Sequence, residues 1–344
     1  MATGRRPDLG IRRAFQSYPL QLRELLRISS LPKPDLDRLD TERVKSFSEN
    51  NAQGVVFAHD TVWFLSSEKG VFRFAIDGPD PFHPSDVRQE SSVRLTDLVQ
   101  TAVGLQGTYD HIGDLAYHDG LVFAPIRFKP DSPGTPLITG LVNAYWPAPV
   151  LPHVIMALTE DLRLVGWAAL APSASDSLCA VHPWNGLLYV TSADHPGELE
   201  AYEIGAFLAR KDSPGDWGQA VAMPPRADAR IRLLTENGAP DTSGGIQGIT
   251  FSRNGRLYLT RFTSHEVLWV YTYFDNYVCV YDSLTGIRLS GPKEIDFSGI
   301  GDEIEGTDVH PSGVLYVAVA DNDVNTDEFE LYAFRLRDLP PDAV

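Results

Sequence analysis

Apolar and polar residues alternate with a period of two along most of the chain, and clusters of Gly, Asp, Asn, Pro and His interrupt the alternation every few residues. A period of two belongs to half-buried β-strands, and such clusters belong to tight turns. The stretch QGITFSRNGRLYL at 247–259 shows the unit in full: a short apolar strand, a turn, and a second strand with an aromatic residue near its start.

The unit recurs. QGVVFAHDTVWFL begins at 53, IGDLAYHDGLVFA at 112, SLCAVHPWNGLLYV at 177 and EGTDVHPSGVLYV at 305, which places five copies at spacings of 59, 65, 70 and 58 residues. Their aromatics are Trp63, Phe123, Tyr189, Tyr258 and Tyr316. A third alternating run follows each copy (GVFRFAID, HVIMALTED, ELEAYEI, NYVCVYD, FELYAFRL), and a fourth follows most (SVRLTDL, LRLVGWAAL, ARIRLLT, IRLSGPKEID). Four antiparallel strands per repeat predict an all-β protein, a β-propeller of five four-stranded blades, or six if residues 1–45 hold a degenerate one. The fifth unit lacks a fourth strand, and ERVKSFSEN at 42–50 can supply it, closing the ring from the N-terminal side. Residues 1–40 then read as an arm with a short helix (QLRELLRI), and 41–344 as one propeller domain.

The repeat resembles the blade motif of calcium-dependent lactonase and esterase propellers of the gluconolactonase and paraoxonase type, and of phytase-like propellers. That resemblance implies a polar residue before the Gly lining a central channel, often at a metal. Where that group has a channel Asn this chain has Gln247, and where it ends the second strand with Asp, blade four has Arg261 and Phe262.

Propeller topology sorts the candidate chemistry by face. The turn histidines His59, His118, His182 and His310 fall one per blade at the far rim, so turn capping is expected of them. The strand starts instead converge on one mouth, offering Gln53, Asp110, His111, Asp114, Asp176, Ser177, Gln247, Asp302, Glu303, Glu305 and Asp308. Two readings stay open there: His111, Asp110, Asp114 and Glu305 as acid and base, and Glu305 with Asp308 as oxygen ligands of Ca²⁺ or Mg²⁺. Asp321, Asp323 and Asn325 alternate like the first half of a calcium loop, although Thr326 and Tyr332 stand where that loop wants Gly and Glu. Two long apolar connections, 129–152 and 263–275, reach the same face. Tyr145 and Trp146 in the first, and Trp269, Tyr271, Tyr273 and Phe274 in the second, are expected to wall a pocket that also holds Gln53 and Gln247.

Charge narrows the partners. The net charge is −17, and residues 1–40 carry 8 Lys and Arg against 5 Asp and Glu, so the rest holds 21 against 41, or −20. Such a body disfavours nucleic acid and anionic lipid. RRAFQ at 12–16 is followed by Arg23, Glu24 and Arg27 where an export signal needs an apolar run, so a soluble cytoplasmic protein without a membrane segment is expected. Cys179 and Cys279 lie in apolar runs and read as buried thiols. No motif for a dinucleotide, nucleophilic serine or zinc is present, so no organic cofactor is expected. Three functions follow: metal-assisted hydrolysis of a lactone, ester or phosphoester, acid–base isomerisation or cyclisation of a partly apolar small molecule, or non-catalytic binding. The oligomeric state is not written in the sequence.

Overall fold

The structure, a computed structural model, describes residues 40–47, 52–76, 87–107, 109–128, 152–172, 174–192, 195, 197–267, 271–295, 303–310, 312–323 and 326–335. The expected N-terminal arm, the 129–151 connection with Tyr145 and Trp146, and Trp269, Asp302 and Asn325 lie outside these residues.

In chain order, β1 (Asp40–Phe47) precedes blade one, built from β2 (Ala52–His59), β3 (Val62–Ser67), β4 (Gly70–Ile76) and β5 (Val87–Arg94). Blade two holds β6 (Tyr109–Ile112), β7 (Ala116–His118), β8 (Leu121–Phe128), β9 (Val154–Thr159) and β10 (Leu164–Ala169). Blade three begins with β11 (Ala174–Val181), β12 (Leu187–Ser192) and β13 (Glu198–Glu203). The short β14 (Gln219–Ala220) returns to pair in parallel with β10, and β15 (Ile231–Arg232) completes blade three. Blade four is β16 (Gly245–Phe251), β17 (Arg256–Val267), β18 (Tyr271–Asp282) and β19 (Arg288–Ile295). Blade five is β20 (Glu303–His310), β21 (Val314–Asp323) and β22 (Thr326–Arg335), with β1 on its outer edge. Pairing from Asp40↔Arg335 to Phe47↔Phe329 makes β1 the fourth strand of the last blade, as the sequence implies.

Packing shows why the ring has five members. The buried apolar residues fall into five clusters, and each occupies one seam between neighbouring blades: one and two, two and three, three and four, four and five, five and one. Second strands such as LLYVTS of β12 are buried along their whole length because both sheet faces meet a neighbour. The repeat aromatic fills its seam in every blade, but in blade one it is Phe64 rather than Trp63. Val56 pairs with Phe64 as Thr250 pairs with Tyr258 and Asp308 with Tyr316, because Phe64 stands as far from Gln53 as Tyr258 from Gln247 and Tyr316 from Glu305, with Trp63 one position earlier.

Three local expectations change. In SVRLTDL only the first residues extend β5, and a helix at Leu95–Thr101 takes the rest, covering the seam with Leu95 and Leu98. The 263–275 connection is largely no loop: β17 and β18 run on as a hairpin, paired from Thr263↔Asp275 to Val267↔Tyr271. The acidic 321–328 stretch is likewise a hairpin, with Asp321↔Glu328 and Asp323↔Thr326 in the ladder, so its backbone is not the open loop that a D-x-D-x-N calcium site requires.

The turn histidines act within turns and across seams. His182 Nδ1 accepts from Trp184 N at 3.2 Å and His310 Nδ1 from Ser312 N at 3.1 Å. His182 also packs on Phe251 of the next blade at 4.7 Å, His310 on Phe57 at 5.0 Å, and His59 on Tyr117 at 5.7 Å. Burial pushes His182 down to about 4. A histidine held neutral in the fold contributes stability that is complete above its unfolded value of 6.5 and is lost as pH falls toward 4. That loss is about 3 kcal/mol, so His182→Gln is expected to flatten the acid limb of the melting curve between those values. Parallel limbs for the two proteins would refute the assignment.

Candidate functional site

The axis of the propeller is organised by the Gly that follows Gln53, Gln247 and Glu305 in the repeat. A Cβ on Gly54 would lie 2.5 Å from the Asp114 Cα, and one on Gly306 would lie 2.4 Å from the Gly54 Cα. Backbones from different blades therefore touch at the axis, where no methyl group fits. The residue after this Gly is Val55, Ile249 or Thr307 in three blades and Asp114 in blade two. Asp114 is fully buried, and its carboxylate accepts four backbone N–H groups. Oδ1 takes Val55 at 3.3 Å and Leu115 at 3.0 Å, and Oδ2 takes Ile249 at 3.2 Å and Thr307 at 3.3 Å. Its backbone forms a bridge to Leu178 of blade three, so one residue ties all five blades. Burial pushes its acid well up, against the pull of the amides. This position corrects the expectation of a catalytic Asp114: its oxygens are occupied and sealed from both faces.

Asp114 thus divides two mouths. The upper mouth, where the inner strands begin, gathers Gln53, Glu68, His111, Gln247, Glu303 and Glu305. Gln247 Nε2 donates to Glu303 at 2.6 Å, and Gln53 bonds to Glu305. His111 Nδ1 stands 3.9 Å from Glu68 Oε1, with the His111 side chain 10% and the Glu68 side chain 41% exposed. Glu305 is buried, and burial first, then the charges of Glu303, Asp114 and Glu68, push its acid well up. Burial also raises Glu303, against its bond from Gln247. A cleft of about 630 Å³ between blades one and two is lined by Glu68 of this group and by Asp110.

Asp110 is engaged rather than free, since Arg127 holds it with two donors at 3.3 and 3.4 Å. Asp308 sits on the other side of the axial tie. Three residues of strand separate it from Glu305 by about 10 Å, so the two do not form the shared cation site expected of them. Phe274 packs on Phe262 at 5.7 Å. Among the described residues no three His, Cys, Asp or Glu side chains stand close enough to hold one metal ion.

Sequence reasoning missed Glu68 as a member of the site. It lies in the β3–β4 turn, SEKG, which topology places on the same face as the strand starts, so the signal was present. Missed also was Asp241, in the linker between blades three and four. It accepts from Tyr281 Oη at 2.8 Å, Arg288 Nη1 at 3.0 Å and Ser243 Oγ at 2.6 Å, with buried Arg261 at 3.7 Å. Burial alone would raise Asp241, but these bonds and the Arg261 charge hold it below the usual range. Arg261 therefore serves this seam lock.

No family model matches the chain, and no curated protein does. Solved structures do. An arabinanase of Bacillus subtilis aligns at a TM-score of 0.45 and 12% identity over 84% of this chain and 96% of its own. A glucose dehydrogenase aligns at 0.41 and 9% over 86% and 98%. The tail fiber of Staphylococcus aureus phage P68 aligns at 0.43 and 14% over 88% of this chain, which spans about half (54%) of that fiber. Likeness at these scores, to an arabinanase, a dehydrogenase and a fiber alike, selects no chemistry. Among the described residues no helix is long and apolar enough to cross a membrane.

Proposed function

We propose that the protein is a small-molecule hydrolase working at the upper mouth by acid–base chemistry, with Glu305 as proton donor and His111, oriented by Glu68, as base. The observation that carries this reading is the position of Glu68, which meets His111 at 3.9 Å and whose charge helps keep Glu305 protonated. An acid held protonated and an imidazole at the same mouth are the equipment for adding water to a polarised bond.

The acid-rich mouth favours an uncharged ester or lactone over a phosphoester, since an anion would meet the charge of Glu68 and would take up the proton that Glu305 holds. The motif resemblance to lactonase and esterase propellers points the same way. A divalent cation is the other means of relieving such a cluster, with Ca²⁺ or Mg²⁺ on Glu305 and neighbouring oxygens.

A hydrolysis panel of p-nitrophenyl acetate, a γ-lactone and p-nitrophenyl phosphate tests the proposal. The two uncharged compounds are expected to react, with His111→Gln and Glu68→Gln each lowering kcat/KM by about a hundredfold or more. No turnover of either, or full activity in both variants, would overturn it. Melting in EDTA and then in Ca²⁺ separates the cation reading. At a hundredfold over its Kd a bound ion would raise Tm by about 2–4 °C, and the acid–base reading expects no rise.

A further inference from the structure

The lower mouth, on the far side of Asp114, holds a second cavity of about 240 Å³. Its floor is one column of the repeat: Val56, Leu115, Ala180, Thr250 and Asp308, one residue from each blade. Four members are apolar or bear only a hydroxyl, and the fifth is a carboxylate. Asp308 Oδ1 accepts from Thr250 Oγ1 at 2.6 Å and Val309 N at 2.8 Å, whereas Oδ2 accepts only from Phe57 N at 2.7 Å. Oδ2 therefore keeps acceptor capacity for another donor.

Of the other polar groups lining the cavity, Tyr117 and Asp119 are already committed and His118 carries no charge. Tyr117 donates to Glu160, Asp119 is held by Lys211 at 3.4 Å, and burial pushes His118 down so that it stays neutral. Arg253, exposed at the rim, has no ion-pair partner among the described residues. A floor with one carboxylate, largely apolar walls and an exposed guanidinium at the edge matches a ligand with a cation at one end and an anion at the other.

We propose that the lower mouth binds a small zwitterion of amino-acid size, its ammonium on Asp308 and its carboxylate on Arg253. An apolar cavity of about 150 Å³ takes benzene, so this one has room for roughly nine or ten non-hydrogen atoms, about the size of leucine. The site is separate from the upper mouth, and the proposal stands whether or not the hydrolase reading does.

The test is thermal melting of the full chain with three probes: leucine, 3-methylbutylamine (leucine without its carboxylate) and 4-methylpentanoate (leucine without its amine). Leucine is expected to give the largest rise, about 2–4 °C at a hundredfold over its Kd, the amine a smaller one, and the acid the least. Asp308→Asn removes the response to leucine and amine, and Arg253→Gln reduces that of leucine to that of the amine. Because Asp308→Asn disturbs three hydrogen bonds, Ala58→Phe provides an independent check by filling the rim, and it too should abolish the response. No rise with any probe, a leucine response that survives Asp308→Asn or Ala58→Phe, or an acid that matches leucine where the amine does nothing would each overturn the proposal.

Discussion

Replacing Asp114 by leucine is expected to lower the melting temperature by about 6–10 °C. The substitution removes the acceptor of four buried amides, those of Val55, Leu115, Ile249 and Thr307, which come from four blades. A buried donor left without a partner costs about 1–3 kcal/mol. Leucine recovers part of this through its own burial and by ending the cost of desolvating a carboxyl group, which leaves a net loss of about 4–6 kcal/mol. With an unfolding entropy of ~2.1 cal/mol/K per residue over a domain of roughly 300 residues, that loss gives the stated shift. Asp114→Asn should fare little better. Its amide nitrogen replaces one oxygen and then faces two N–H donors, Val55 and Leu115 on one side or Ile249 and Thr307 on the other. A variant that melts like the parent would show that the Gly-lined axis holds without this tie.

Glu305→Gln is expected to separate stability from activity. A raised folded-state pKa means that the native protein holds its proton more tightly than the unfolded chain. The stability so gained is complete below the unfolded value of 4.5 and is lost as pH rises through the folded one. Glutamine keeps a partner for Gln53 and carries no charge, so the variant should melt like the parent at pH 4 and above it at pH 8. Hydrolysis of the uncharged ester or lactone should meanwhile fall by about 10²–10⁴-fold, because the proton donor is gone. Melting curves at both pH values, with kcat/KM measured beside them, check the two halves. A variant less stable than the parent at pH 8 would refute the electrostatic account, and one with full activity would refute the role. Sites that gather like charges for chemistry weaken the fold that holds them.

Much of this architecture is legible in the sequence because a propeller writes each blade with the same period. The turn residues, the Gly after Gln53, Gln247 and Glu305, and the missing fourth strand after FELYAFRL together give five blades and their closure. Where the reading failed, competing signals were local. TSHEV and YTYFD read as loop because they flank strands that are already complete, yet their alternation continues both as a hairpin. The site was harder, since an acidic residue near a strand start has several fates. Asp114, Asp110 and Asp308 differ by one to a few positions in the repeat, and those differences send them to the axis, to Arg127 and to the opposite mouth. Charge and type are visible in one dimension. Which neighbour arrives to satisfy them depends on strand parity and on the adjoining blade.

The pairing of β1 with β22 joins segments almost three hundred residues apart in the chain. A ribosome makes Asp40–Phe47 first among the described strands, and its partner emerges only when Arg335 has been translated. Until then the earliest strand and the inner blades expose unpaired edges, and no ring can close. The nascent protein is therefore at its most adhesive late in synthesis, when four blades are assembled and the last is still arriving.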